Sequence, residues 1–433
     1  MQVKKRSTLV LFFLILVELA HSQSKDTLRV MTYNLMYYRE FTSFCTSSNN
    51  NPNSKDANMQ TIIDYALPDI LVVNELGGSN ATLNSFRLFT NAMNASGRTN
   101  YDLASANSNS NLANMLYFNS NKLDIKNQTT ITQDLSGGSL IRLIDVYTLY
   151  HLEPNLAQHN DTTFLHVFAA HLKAGSSSSD QAERADATEA IMDYVDVNNL
   201  DGNVLIMGDF NLYRSNEAAY QDLVNYTNPT YRFNDPVGIS GNWGNSVYAF
   251  LHTQSTHTSG GCFASGGMDD RFDFILASNK VMNNTDRIGY INNSYETLGQ
   301  DGNRYNGSLI SPANNSAPTA VINALYNMSD HLPVMMDLEV TGPASTALIN
   351  NEQSLEVSFQ NPNPGRLVMR FGDKGQALSS IQLLNLSGSV LRDWQLNREN
   401  LFERNITNLP KGIYFLRFEL ENNQQFVKKL IKI

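Results

Sequence analysis

Polar residues able to move protons or hold a cation stand, one after another, where short apolar runs of this chain end. Asn34 follows Val30-Met31-Thr32-Tyr33, Glu75 comes just after Ile70-Leu71-Val72-Val73, and His171 follows the run 164–170. Asp209 and Asn211 follow Val204-Leu205-Ile206-Met207, Asp273 lies between Phe272 and Phe274, and Asp330 with His331 precedes the run 334–338. A carboxylate, amide or imidazole placed repeatedly where a buried strand surfaces is how an α/β enzyme assembles a site from distant parts of its sequence. The chemistry such a set fits is hydrolysis of a phosphate ester: a non-bridging oxygen is neutralised, a water activated and a leaving alkoxide assisted.

Glu75 is the candidate metal ligand, because Mg²⁺ takes one or two carboxylates together with substrate oxygens and water rather than a full protein cage. His331 has Asp330 beside it, and a carboxylate neighbour stabilises an imidazolium and orients it for acid/base work. His171 also ends an apolar strand; an edge histidine with a structural role is its alternative. Asp209 and Asn211 flank Phe210, so strand alternation puts both side chains on one face while Phe210 packs inward. There the amide can donate to a phosphate oxygen and the carboxylate can take a proton from water. Asp273, an acid among aromatics, needs a buried partner, and a histidine is the obvious one. His252 either faces the same cleft or is an exposed loop histidine.

The elements that must position these residues are mostly strands. From Thr27 to about Glu339 apolar runs with strand periodicity alternate with helical or loop segments. Residues 180–195 read as an amphipathic helix, with Asp180 as cap and Glu183 completing a capping box. Strands far outnumber helices, which favours a sandwich of two mixed sheets flanked by helices. Residues 42–55, 104–111 and 292–316 are crowded with Asn, Ser and Gly and read as surface loops. Composition shifts at Thr341-Gly342-Pro343-Ala344-Ser345. Beyond it, short strands at 355–359, 367–371, 381–386, 413–420 and 426–431 separated by turns point to a small β-sandwich, to which no chemistry is assigned.

Length and charge bound the rest. The chain has 433 residues, enough for two folded units and a processing segment. Residues 1–22 carry Lys4-Lys5-Arg6, an apolar stretch from Leu9 to Val17 and small residues at Ala20 and Ser22, the pattern of an export signal. No later run is long enough to cross a bilayer, so stable membrane insertion is not expected. The net charge of −10 is uneven: residues 1–22 carry +2, residues 341–433 carry +3, and the span between carries −15. That balance does not support nucleic-acid binding through a basic face, and a polyanionic substrate would need a divalent cation or a local arginine to offset repulsion. The two cysteines, Cys45 and Cys262, lie in loop-like sequence. In an exported chain one disulfide is expected, with two free thiols as the alternative.

Six ordered motifs carry a family resemblance: Met31-Thr32-Tyr33-Asn34-Leu35, Pro68-Asp69-Ile70 through Glu75, His171-Leu172-Lys173, Gly208-Asp209-Phe210-Asn211, Arg271-Phe272-Asp273-Phe274-Ile275-Leu276 and Ser329-Asp330-His331-Leu332-Pro333. Over residues 27–340 the chain resembles the endonuclease/exonuclease/phosphatase superfamily, and is similar in motif order to pancreatic-type deoxyribonucleases and abasic-site endonucleases. The resemblance implies a four-layer αββα sandwich and Mg²⁺-dependent in-line hydrolysis, with Mn²⁺ as substitute and Ca²⁺ as a further candidate ion. It implies that Glu75 holds the metal, with Asn34 supporting it or the phosphate, and that Asp330 lies at the metal or phosphate. It further implies that Asp209 and Asn211 position water and phosphate, that His171 contacts the scissile phosphate, and that Asp273 orients His331. Arg142, ahead of an apolar strand, is matched to a phosphate-contacting arginine. The family's usual glutamine before the metal glutamate is Asn74 here.

The C-terminal unit resembles a type IX secretion sorting domain, through Asn361-Pro362-Asn363-Pro364, the strand start Gly412-Ile413-Tyr414 and the basic apolar end Lys428-Lys429-Leu430-Ile431-Lys432-Ile433. The organisation expected is a signal peptide (1–22), an endonuclease/exonuclease/phosphatase domain (23–342), a linker (343–350) and a sorting domain (351–433). The function expected is that of a monomeric, secreted or cell-surface phosphodiesterase with nucleic acid as substrate, handed to the outer-membrane secretion machinery by its C-terminal domain. The alternatives are a phosphatase or phospholipid phosphodiesterase on the same scaffold, or a surface binding protein with an inactive hydrolase fold.

Overall fold

The computed structural model describes residues 25–153, 156, 162–342, 357–371, 378–386, 388–396, 401–420 and 425–433. The expected signal peptide and linker lie outside them. The chain divides into two compact units, Met1–Ser345 and Thr346–Ile433.

In chain order the first unit contains β1 (Lys25–Tyr38), α1 (Pro52–Ala66), β2 (Ile70–Gly77), α2 (Ala81–Leu88), β3 (Tyr101–Leu103), β4 (Leu112–Asn119), β5 (Leu123–Gln133), β6 (Ser139–His151) and β7 (Phe164–His171). There follow α3 (Ser178–Val197), β8 (Val204–Asp209), α4 (Ala218–Val224), β9 (Phe233–Asn234), β10 (Asp273–Ser278), α5 (Asn279–Asn283), β11 (Ile288–Tyr290), β12 (Glu296–Thr297), α6 (Thr319–Met328) and β13 (Val334–Thr341). One sheet runs β11-β13-β1-β2-β4-β3 with β12 also on β13; the other runs β5-β6-β7-β8-β10-β9. Each is mixed, with a single parallel pair at its centre, β1/β2 in one and β7/β8 in the other. Val30, Tyr33 and Leu71 share a core with Val167, Leu205 and Met207 of the other sheet, and Met59, Ile62, Leu325 and Met328 of α1 and α6 complete it. On the far side Phe168, Ile206 and Phe274 pack beneath Ile191 and Val195 of α3 and Leu223 of α4. The result is an αββα sandwich. Covered on both faces, β2 is buried at nearly every position and reads as a continuous apolar run rather than an alternation.

Two helix starts differ from the sequence reading. The segment taken as loop through Lys55 turns helical at Pro52, because the Asn51 side chain accepts from the amides of Asn53 and Ser54 and proline suits the first turn. α3 begins at Ser178 rather than Asp180. Ser177 is its cap, and Asp180 is the third helical residue, returning a hydrogen bond to the Ser177 amide in place of Glu183.

The second unit has β14 (Val357–Phe359), β15 (Arg366–Phe371), β16 (Leu378–Leu384), β17 (Val390–Gln395), β18 (Leu401–Asn405), β19 (Gly412–Leu420) and β20 (Gln425–Lys432). They form sheets β14-β15-β18 and β17-β16-β19-β20, closed over Leu367, Met369, Ile381, Phe402, Leu416 and Phe418. β17 and β18 were not anticipated, because they expose most of their residues and carry no apolar run.

Candidate active site

Strand direction gathers the polar islands at one end of the sandwich. The parallel strands β1, β2, β7 and β8 reach it with their C-terminal ends, while β10 and β13, antiparallel to β8 and β1, reach it with their N-terminal ends. Register sets neighbours: Asn34 opposes Asn74, and Asp209 opposes both His171 and Asp273. Asn34, His171, Asp209, Asn211, Asp273, Asp330 and His331 are all buried.

Hydrogen bonds tie the two sheets beneath the site. Asn34 Nδ2 donates to Asp209 Oδ2 at 2.9 Å, and the Asp209 amide donates to Asn74 Oδ1 at 2.9 Å. Asn74 Nδ2 donates to Asn114 Oδ1 at 2.8 Å, and Asn114 in turn donates to the carbonyls of Leu143 and Ala169. Gly208 must be glycine there: its φ is +142°, and a Cβ would collide with the Ala170 carbonyl.

His331 Nδ1 lies 2.7 Å from Asp273 Oδ2, a partner 58 residues away. The sequence neighbour Asp330 instead accepts the Ala264 amide on Oδ2 at 2.8 Å. Burial opposes charge on His331, but Asp273 and then Asp209 outweigh it and hold the imidazolium well above the ordinary histidine range. His171 is in the opposite state. Its Nε2 is 3.5 Å from Asp209 Oδ2 and 3.8 Å from Glu75 Oε1, yet burial first, then Arg142 and His331, push its pKa well below normal. The site therefore pairs a charged histidine with a neutral one. Burial also raises the Asp209 carboxyl, against the pull of His331. Burial and then Asp330 raise that of Glu75.

Three expectations are corrected. Asn211 lies beyond the end of β8 with φ +51°, so a left-handed turn rather than strand alternation aims it; its Nδ2 donates to the Leu172 carbonyl at 3.2 Å. Phe210 is buried, stacked on Phe274 at 5.4 Å. Arg142 is within β6 rather than ahead of it, and its Nη1 donates to the same Leu172 carbonyl at 2.7 Å. His252 is neither in the cleft nor exposed: its ring is buried between the carbonyls of Met268 and Trp243.

Other residues at the site escaped the sequence reading. Gln254 Nε2 sits 2.7 Å from His331 Nε2; against a protonated ring, which has no lone pair, the amide would present its oxygen instead. Thr253 Oγ1 accepts the amides of Phe272 and Asp273 and fixes the start of β10. Neither carries a local signal. Lys55 does, since it lies four residues before Met59 on the buried stripe of α1. Burial pulls its ammonium down to about 7, against Asp330 and Glu75. Cys45 and Cys262 are disulfide-bonded, with Cα atoms 4.5 Å apart. Asp209, Asp273 and His331 present ligand atoms within 4.8 Å of one another, a buried group that could hold a metal ion.

No curated protein is similar to this chain in sequence. Similar solved structures include the human Nocturnin catalytic domain with bound sulfate, at 13% identity and TM-score 0.45 over 73% of this chain and 97% of that one. An endonuclease/exonuclease/phosphatase from Bacteroides vulgatus is similar at 14% identity and TM-score 0.45, over 73% and 99%. D. rerio TDP2 complexed with a single-strand DNA product is similar at 11% identity and TM-score 0.45, over 72% and 98%. Likeness at these levels assigns no activity to this chain, and the architecture stated above rests on its own sheet order. Among the described residues no helix is long and apolar enough to cross a membrane. Residues 359–433 match the family described as the secretion system C-terminal sorting domain. The C-terminal unit is therefore a sorting tail of that family, and such a tail indicates export to the cell surface or the extracellular space.

Proposed function

We propose that the first unit is a secreted, metal-dependent phosphodiester hydrolase, an extracellular nuclease acting on DNA or RNA. The observation that carries the reading is the buried Asp273–His331 couple standing across Asp209 from a neutral His171, at the end of the sandwich where Glu75 and Asn34 also surface.

The residues present fit a hard divalent cation. Glu75, Asn34 and Asp330 offer oxygen donors only, and Glu75 and Asp330 are carboxylates that repel one another where burial already disfavours charge. Bound by these three, Mg²⁺ would neutralise a non-bridging oxygen of the phosphate. The Asp209–Asp273–His331 group is the less favoured holder, because His331 Nδ1 is engaged by Asp273 and its Nε2 faces Gln254.

The side chains then divide the work. His331, held protonated, delivers its proton to the leaving oxygen and is oriented by Asp273. Asp209 accepts a proton from the attacking water; its raised basicity suits that role, and Asn34 Nδ2 fixes the carboxylate. Neutral His171 donates to a phosphate oxygen, as does the second Nδ2 proton of Asn211. Arg142 offsets the substrate's charge in a unit that is otherwise acidic.

One observation favours a second reading, a phospholipid phosphodiesterase. Phe41 and Phe44 are about half exposed, at 49% and 50%. Phe44 meets Tyr37 edge-on at 5.7 Å, and the Tyr37 amide donates to Glu75. These rings form an apolar lip beside the site. Incubating the purified chain with plasmid DNA, RNA, sphingomyelin and inositol phosphates, with Mg²⁺ or with EDTA, tests both. Mg²⁺-dependent cleavage of nucleic acid alone is expected; cleavage of sphingomyelin alone selects the second reading, and EDTA-resistant cleavage refutes the metal.

A further inference from the structure

Immediately after Asn34 the backbone does something L-residues avoid. Met36, Tyr37 and Arg39 have φ of +46°, +50° and +60°, and none is glycine. Such a turn persists only if its surroundings over-determine it. The surroundings here are residues 50–56, the start of α1. Lys55, 2% exposed, donates from Nζ to the carbonyls of Leu35 at 2.7 Å and Met36 at 2.5 Å. Asn50 Nδ2 donates to the Tyr37 carbonyl at 2.8 Å, and Asp56 takes Tyr38 Oη and Arg39 Nη2, each at 2.5 Å. What the turn delivers points at the site: the Met36 amide donates to Asn34 Oδ1 at 2.9 Å, and the Tyr37 amide donates to Glu75 Oε2 at 3.0 Å.

We propose that Lys55 is a positioning residue for Glu75: by pinning two successive carbonyls it holds the left-handed turn that aims the Tyr37 amide at the carboxylate, and so presets Glu75 for a cation. This rests on the metal reading above for its consequence but not for its geometry. A buried ammonium suits the task. It has three donors to bind carbonyls that a left-handed turn turns away from the ladder, and its charge lies within reach of Glu75 and Asp330 without touching either carboxylate. Partners that orient a metal ligand from behind typically account for 10- to 100-fold in affinity.

The test compares Lys55→Met, which keeps the length of the side chain and removes its donors, with the unmodified chain. Two readouts are taken: Mg²⁺ affinity by calorimetry, and amide exchange at Tyr37 in the absence of metal. The inference expects Mg²⁺ affinity to fall about 10- to 100-fold and exchange at Tyr37 to speed up about tenfold or more. Unchanged exchange together with unchanged affinity overturns it. If the unmodified chain binds no Mg²⁺ while exchange at Tyr37 still accelerates in the variant, the metal reading fails and the clamp stands. Should Lys55→Met lose the near-UV spectrum of the folded chain, Asn50→Ala, which removes only the bond to the Tyr37 carbonyl, carries the same readouts with a smaller expected effect, and again no change in either overturns the clamp.

Discussion

Replacing Asp273 with asparagine removes the charge that faces His331 while keeping an acceptor of nearly the same shape. The two groups are 2.7 Å apart with side chains 4% and 0% exposed, so solvent screens them little. Unit charges about 4 Å apart at an effective dielectric of about 20 attract by about 4 kcal/mol, which corresponds to about three pH units in a titration midpoint. The asparagine oxygen still accepts from Nδ1, and Asp209, 3.8 Å from Nε2, still faces the ring. The midpoint of His331 is therefore expected to fall by about two pH units. Titrating the His331 imidazole by ¹H–¹⁵N correlation spectroscopy on EDTA-treated protein reads this directly.

The same shift predicts rate and stability with a definite sign. Because His331 is raised above its unfolded value, its charge contributes stability that is fully present below about pH 6.5 and is lost as pH rises through the folded midpoint. Asp273→Asn should therefore cost about 3 kcal/mol near pH 6, the low end for breaking a buried pair, and less at alkaline pH. In kcat/KM the alkaline limb, where the proton donor is lost, should move acidward by the same two or so pH units. A midpoint displaced by less than about half a pH unit, or an unmoved alkaline limb, would refute the assignment of His331 as a proton donor held charged by Asp273.

Other consequences are open to measurement. Glu75→Gln should weaken Mg²⁺ binding by more than the 10–100-fold typical of an outer partner, with Asp273→Asn losing less; the reverse ranking by calorimetry would move the cation to the Asp209–Asp273–His331 group. Reducing Cys45–Cys262, which spans a sequence separation of 217, should lower thermal stability, the chain-entropy limit being roughly 5 kcal/mol, and a melting curve unaffected by reductant would contradict it. Arg271, bonded through two nitrogens to Asp235 at 2.7 and 2.9 Å and stacked over Phe274, should cost about 3 to 5 kcal/mol when changed to methionine. Adding Asp235→Leu should recover much of that loss, since an apolar pair replaces a buried ionic one; no recovery in denaturant titration would count against a simple charge-pair account.

The sequence determined a good deal by itself. Each apolar run carries its own period, and that period says locally which residues are buried and where the strand surfaces; hence Asn34, Glu75, His171, Asp209, Asp273 and His331 could be picked out one strand at a time. Where local chemistry was ambiguous the reading slipped, as at Asn51 and Ser177, because the residues that make loops also cap helices. Only the tertiary structure decided who meets whom. His331 bonds Asp273 rather than the adjacent Asp330, Gln254 faces His331, and Lys55 grips a turn near Asn34. The reason is physical: periodicity encodes the face a residue occupies, but strand order and register are set by the packing of both sheets and the outer helices together, and the contacts across β1, β8, β10 and β13 that build the site exist only once that packing is complete.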